Sequence, residues 1–94
     1  MSAPHSSEFG GQNAFQHAKR VKEIYEAMLL TKANVVGVGV GLLERNGLPQ
    51  DAVALIVLVN EKVPRGSLAA EDRIPAEIEG VPVDVQEVGT ITAS

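Results

Sequence analysis

Few residues of this 94-residue chain have the types and spacing that chemistry requires. The adjacent residues Glu71, Asp72 and Arg73 are candidates for a ligand site, because charged side chains at a junction of two subunits can line a pocket. The carboxylates of Glu71 and Asp72 could also bind a hard metal ion, but these residues lack the spacing of a Ca²⁺-binding loop. The sequence therefore predicts no metal and no cofactor, and it leaves these three residues as ligand candidates.

Covalent catalysis needs a serine, threonine or cysteine nucleophile beside a base. The chain has no cysteine, which excludes thiol chemistry and disulfides. Its histidines are His5, in a polar N-terminal stretch, and His17, on the polar side of a predicted helix. Ser67 has no histidine near it in the sequence. We therefore predict no catalytic residue.

Three glycines alternate with apolar residues at Gly37, Gly39 and Gly41. A dinucleotide-binding loop needs the spacing G-x-G-x-x-G at a turn from strand to helix, and a P-loop needs Gly-Lys-Ser/Thr. Neither pattern is present in the sequence. On a strand the three glycines share one side, where a bare backbone permits close approach of another element or subunit, or instead permits a bend or a β-bulge.

The periodicity of the apolar residues predicts the elements that position these side chains. After Asn13, a predicted N-cap, apolar residues recur every three or four positions, which indicates an amphipathic helix that ends near a left-handed Asn34. Two apolar strands follow, joined at Asn46-Gly47 by a connection that we expect to exceed two residues. A short helical turn and two strands complete the chain. The prediction is an α+β fold in which the N-terminal helix packs on a small, mainly antiparallel sheet of three or four strands, in the order α-β-β-short helix-β-β.

The second strand, ending at Val59, is apolar on both faces, which is typical of a central strand covered on both sides. One amphipathic helix can cover only one face of a sheet. The C-terminal segments or another copy of the chain must cover the other face. This mismatch predicts a homo-oligomer, since exposed apolar patches of this kind usually mark interfaces. The interface candidates are Gly37, Gly39, Gly41, Ile56 and Leu58.

Length and composition limit the class of protein. The formal net charge is −4 and the sequence shows no extended basic patch, which argues against nucleic acid as a partner. No stretch reaches the roughly 20 apolar residues that a membrane-spanning helix needs. The N-terminus lacks the pattern of a secretory signal. We expect a flexible leader at 1–12, a single domain at 13–89, a tail at 90–94 and a cytoplasmic location.

Several short motifs occur in an order that resembles a known family. They are Asn34-Val-Val-Gly-Val-Gly-Val-Gly41, Ala54-Leu-Ile-Val-Leu-Val59 with Glu61-Lys-Val-Pro64, Glu71-Asp-Arg-Ile-Pro75, and Ile78-Glu-Gly-Val-Pro-Val-Asp-Val85. Over residues 20–89 the chain resembles the amino-terminal domain that precedes a trypsin-like serine protease domain in a group of bacterial proteins. The chain has no Gly-Asp-Ser-Gly, so no protease residue carries over. The resemblance implies a stand-alone version of a non-catalytic domain.

Three functions are compatible with these features. The first is a non-enzymatic interaction or assembly module that associates with itself. The second is a small hydrolase or ligand-binding enzyme with an acidic site at a subunit junction. The third, implied by the resemblance alone, is an accessory domain that docks on a separate serine protease. The excess of apolar strand faces over available cover favours the first.

Overall fold

The structure, a computed structural model, describes residues 6–89 of the chain, with side chains from residue 13 onward. Its elements in chain order are the helix α1 (Ser6–Leu30) and the strands β1 (Val35–Arg45), β2 (Leu48–Val59), β3 (Glu77–Ile78) and β4 (Val81–Glu87). Two single-turn 3₁₀ helices, Arg65–Ser67 and Ala70–Asp72, lie between β2 and β3. These elements confirm the predicted α+β fold and its order.

The helix begins earlier than the sequence predicts. Asn13 lies inside α1 and is not its N-cap, because the helix begins at Ser6. Nucleation is the costly step of helix formation and each added residue costs little, so the helix can continue through residues of low propensity such as Gly10 and Gly11. Residues 6–12 of the predicted leader therefore belong to α1. Residues 1–5, which include His5, and the predicted tail at 90–94 lie outside the described residues.

The four strands form one mixed sheet in the order β1-β2-β4-β3. β1 and β2 pair antiparallel, β2 and β4 pair parallel, and β3 and β4 pair antiparallel. Asn46 and Gly47, with φ of 56° and 78°, form a two-residue type I′ turn. The longer connection predicted there is wrong, because Pro49 continues the ladder opposite Glu44. A proline is tolerated at this point because β4 pairs with β2 only from Leu55 onward.

The core lies between α1 and one face of the sheet. Alternate residues of β2 point to that face, and Leu55, Val57 and Val59 are buried there. The helix contributes Ala18, Val21 and Leu29, and the neighbouring strands contribute Val38, Val40, Val81, Val83 and Val85. The other residues of β2 therefore point away from α1.

The segment that connects β2 to β4 also lies on the α1 side of the sheet, where Ile74 packs against the core. A parallel pair of strands needs such a crossover connection. Two hydrogen bonds join the end of the helix to the second 3₁₀ helix. Lys32 Nζ donates to the carbonyl oxygen of Glu71 at 2.6 Å, and the N–H of Ala33 donates to Asp72 Oδ1 at 3.0 Å. The helix and the crossover therefore cover the same face together.

Candidate functional site

The three glycines lie on the face of the sheet that α1 does not cover. Each glycine pairs with a residue of β2: Gly37 with Leu58, Gly39 with Ile56, and Gly41 with Ala54. Directly paired residues of an antiparallel ladder point to the same side. The structure thus brings the predicted interface candidates together on one surface, which we call the glycine face: Gly37, Gly39, Gly41, Ile56 and Leu58.

Side chains of β2 occupy the space above two of the glycines. A Cβ atom added at Gly37 would lie 3.4 Å from Leu58 Cδ1, and one added at Gly41 would lie 3.5 Å from Ile56 Cγ1. At Gly39 no atom of the described residues lies within 4 Å of that position. Ile56 and Leu58 therefore extend towards β1, and the centre of the glycine face stays open.

The pairing of β1 with β2 is irregular at both ends of the glycine stretch. The register shifts between Val35 and Gly37, where β1 has an extra residue, and again between Leu42 and Glu44, where β2 has the extra residues. Such bulges bend a strand and increase its twist. Between them the ladder is regular from Gly37 to Leu42. The bends therefore flank the glycines, and they do not by themselves explain the central Gly39.

Beyond the second bulge the hairpin end bends over part of the glycine face. The N–H of Glu44 donates to Asp84 Oδ2 at 2.9 Å, and Gln86 Nε2 donates to the same oxygen at 3.2 Å. β2 separates β1 from β4 in the sheet, so this contact requires the hairpin end to cross β2 on the side of Asp84, which is the glycine face. Ala54, fully buried, marks the covered end. The rest of the face stays open.

β1 is an edge strand, and no strand in the described part of the chain pairs with its outer side. Between Val35 and Leu43 it carries no charged residue and no proline, the usual devices that stop an edge strand from pairing with another chain. Val36 and Leu42 are 53% and 52% exposed. The glycine face therefore borders an uncharged, apolar edge.

The predicted ligand residues Glu71, Asp72 and Arg73 differ in what they contact. Glu71 is exposed, and its carbonyl oxygen accepts the hydrogen bond from Lys32. Arg73 Nε donates to two carbonyl oxygens of the connecting segment at 3.0 and 3.2 Å, which stabilises that segment. Asp72, half-buried, lines a cavity. Of the three, Asp72 is thus the residue placed to meet a ligand.

This cavity has a volume of about 310 Å³ and lies under the segment that connects β2 and β4. Val59, Val83 and Val85 supply apolar walls from the α1 face of the sheet. The charged residues Glu61, Lys62 and Arg65 also line it. Its volume is at the lower end of the range, roughly 300–1,000 Å³, that holds small molecules in proteins. The arrangement suits a small apolar molecule with a polar end.

The remaining titratable side chains make contacts that position α1. His17 Nε2 lies 2.7 Å from the carbonyl oxygen of Glu79, and the hydroxyl of Tyr25 donates to the Glu79 carboxylate at 2.7 Å. The hydrogen bond to Glu79, its negative charge and slight burial together raise the pKa of Tyr25 above the ordinary value of 10.0. These contacts fasten the helix to the β3–β4 turn. Within residues 6–89 no group of three or more histidine, aspartate or glutamate residues could hold a metal ion.

Comparisons of the chain with protein-family models, with curated proteins and with solved structures found no match. The resemblance to the domain that precedes trypsin-like serine proteases therefore stays a prediction from sequence motifs. In the part of the chain that the structure describes, no helix is long and apolar enough to cross a membrane. A function for this protein has to be argued from the glycine face, the open edge of β1 and the cavity beside Asp72.

Proposed function

We propose that this protein is a non-enzymatic module that associates with copies of itself through the glycine face and the adjoining edge of β1. The observation that carries the proposal is the unequal cover of β2. Leu55 and Val57 are fully buried under α1, whereas Ile56 and Leu58 on the opposite face are only partly buried. The fold thus leaves one face of its central strand for another molecule to cover.

Association would remove apolar side chains of the glycine face from water. Fully burying an exposed isoleucine or leucine is worth about 1.5–3 kcal/mol, and Ile56 and Leu58 are already mostly buried, so completing the burial of either adds at most about 1 kcal/mol. Two copies contribute these side chains twice. The gain must exceed an association cost of about 4–15 kcal/mol, so the side chains alone give at most weak binding. Pairing of the free edge of β1 supplies the further contacts that a stable complex needs.

A second copy of the chain suits this surface better than a charged partner does. A two-fold interface brings the same patch of both subunits together, so any net charge on the patch opposes itself. The five residues of the glycine face and the β1 stretch from Val35 to Leu43 carry no charged side chain. The charged residue on that side is Asp84, which lies beside Ile56 and whose carboxylate accepts the Glu44 N–H. Self-association therefore meets no like-charge repulsion at its centre.

Placing a lysine at the centre of the glycine face tests the proposal. Gly39→Lys has space in the single chain, because no described atom lies within 4 Å of the added Cβ, and Gly66→Lys is a matched control with the same open surroundings. Size-exclusion chromatography with light scattering should give the unmodified protein and Gly66→Lys a mass of about twice the 9.9 kDa of one chain. Gly39→Lys should move the mass towards a single chain.

Two results would contradict the proposal. One is a monomeric unmodified protein at micromolar concentration. The other is an oligomer that Gly39→Lys leaves unchanged while circular dichroism shows a folded variant, because the contact would then lie away from the glycine face.

The cavity beside Asp72 favours a second function, the binding of a small ligand. Asp72 Oδ1 already accepts the N–H of Ala33 at 3.0 Å, so its carboxylate is held in place at the wall of an apolar pocket. A screen of small amphipathic fragments by NMR should shift the amide signals of Ala33 and Val83, and Asp72→Ala should weaken the response. Signals that stay unchanged for every fragment would remove this candidate.

A further inference from the structure

We infer that two copies of the chain pair their β1 strands antiparallel about a two-fold axis at Gly39, which joins two four-stranded sheets into one continuous sheet. The inference rests on the proposed self-association and specifies its edge contact, which places the two glycine faces side by side and leaves Ile56 and Leu58 outside the paired edge. It concerns the outer side of β1, where no described strand is paired. An added strand at such an edge gains main-chain hydrogen bonds along its length.

Symmetry limits how two identical strands can pair. In an antiparallel pair related by a two-fold axis, the axis passes between one residue and the same residue of the other copy. Paired residues point to the same side of the sheet. Both α1 helices then lie on one side of the joint sheet, and both glycine faces lie on the other. The covered side and the open side are thus continuous across the junction.

The two register shifts of the β1–β2 ladder limit where the axis can lie. The regular part of the strand runs from Gly37 to Leu42, so a ladder centred on it has its axis at Gly39 or Val40. An axis at Val40 pairs Val38 with Leu42 and leaves Val36, an apolar residue that is 53% exposed, beside the bent hairpin end at Glu44. That arrangement leaves Val36 without an apolar partner.

An axis at Gly39 matches the strand to itself. Gly37 then faces Gly41 of the other copy, and Val38 faces Val40, so small residues oppose small ones and β-branched residues oppose each other. At the two ends of the ladder Val36 faces Leu42. These are the two large apolar side chains of β1 that are more than half exposed.

The charged residues of the strand also agree with this register. Asn34 and Ala33 lie outside β1, so Glu44 and Arg45 have no strand residue of the other copy opposite them and no two like charges face each other. The glycine on the axis leaves an open trough at the centre of the joint sheet, because no described atom lies within 4 Å of a Cβ built there. The pattern Val-Gly-Val-Gly-Val-Gly-Leu thus gives β1 an edge complementary to its own copy.

Disulfide crosslinking can read this register directly, because the chain has no cysteine of its own. Three variants, each with a single cysteine at position 38, 39 or 40, would be treated with oxidised glutathione and analysed on non-reducing gels. Directly paired Cβ atoms lie about 4.5–5.5 Å apart and diagonal ones about 7–8 Å. A disulfide needs a Cβ separation of about 3.5–4.5 Å, so a small adjustment suffices only for the direct pair.

We expect Gly39→Cys to shift from the band of one chain to that of two chains, while Val38→Cys and Val40→Cys stay largely uncrosslinked. A second experiment uses Gly37→Cys and Gly41→Cys, whose added Cβ atoms meet neighbours at ordinary contact distances. In a pair made of two copies of the same variant, the two thiols lie at least about 13 Å apart along the strand. Only a mixture of the two should form the crosslinked pair.

The outcomes separate this inference from the proposed function. Crosslinking at position 38 or 40 but not at 39 would overturn the register and leave self-association standing. An oligomer in which neither Gly39→Cys nor the mixture crosslinks would overturn pairing through the β1 edge. A monomer at micromolar concentration would overturn both the inference and the proposed function. Circular dichroism of each variant confirms that the compared proteins are folded.

Discussion

Two neighbouring residues of β2 report separately on the covered and the open faces of the sheet. Leu55 is fully buried under α1, so Leu55→Ala leaves a cavity and should lower the free energy of unfolding by about 2–5 kcal/mol. Ile56 lies partly buried on the glycine face. Ile56→Ala removes three carbon groups worth about 0.8 kcal/mol each when fully buried, so with Ile56 mostly buried the loss is about 1.5–2 kcal/mol.

Urea unfolding followed by circular dichroism measures both losses. The comparison should start at a protein concentration low enough for single chains to dominate. Equal losses for the two variants would refute the assignment of Ile56 to an open face. At higher concentration association stabilises the folded state by mass action, and the loss for Ile56→Ala should grow where the contact covers the glycine face and stay constant where only the β1 edges pair. The loss caused by Leu55→Ala should stay nearly constant.

Two further predictions concern polar contacts. Asp84→Ala removes the acceptor of the Glu44 N–H, so we expect a loss of about 1–2 kcal/mol and faster hydrogen exchange at Glu44, with Asp84→Asn close to the unmodified protein. Exchange at Glu44 that is equally slow in Asp84→Ala would contradict this contact. The pKa of Tyr25 is raised in the folded state, mainly by its hydrogen bond to Glu79, so its contribution to stability is present below about pH 10 and is lost as pH rises through the folded pKa. Thermal unfolding from about pH 8 to 11 should show a smaller decline for Tyr25→Phe, and equal declines in both proteins would argue against the effect.

The order and type of the elements could be predicted because each has a local signal. Asn34 has the left-handed conformation that was expected after the helix, with a φ of 72°. Asn46-Gly47 has the positive φ angles of a hairpin turn. The start of α1 could not be placed from the sequence. Asparagine favours the N-cap position, but a helix also tolerates it at an interior position such as that of Asn13. The parallel pairing of β2 with β4 could not be predicted. These strands lie far apart in the sequence, and no local pattern of residues indicates which distant strands pair.

The candidate site was predictable to the extent that it follows from the two-residue period of a strand. That period places Gly37, Gly39 and Gly41 on one side, and the β1–β2 ladder sets Ile56 and Leu58 beside them. The hydrogen bond from Glu44 to Asp84 was missed, because it arises from a bulge that turns the hairpin end over β2. The cavity beside Asp72 was also missed as a shape, since it forms only when the crossover packs on the sheet.

Sedimentation equilibrium of the unmodified protein, over a range of micromolar concentrations, tests most directly whether two copies of the chain associate. The account predicts a mass that rises with concentration to about twice the 9.9 kDa of one chain. A mass that stays at one chain over the whole range would contradict it.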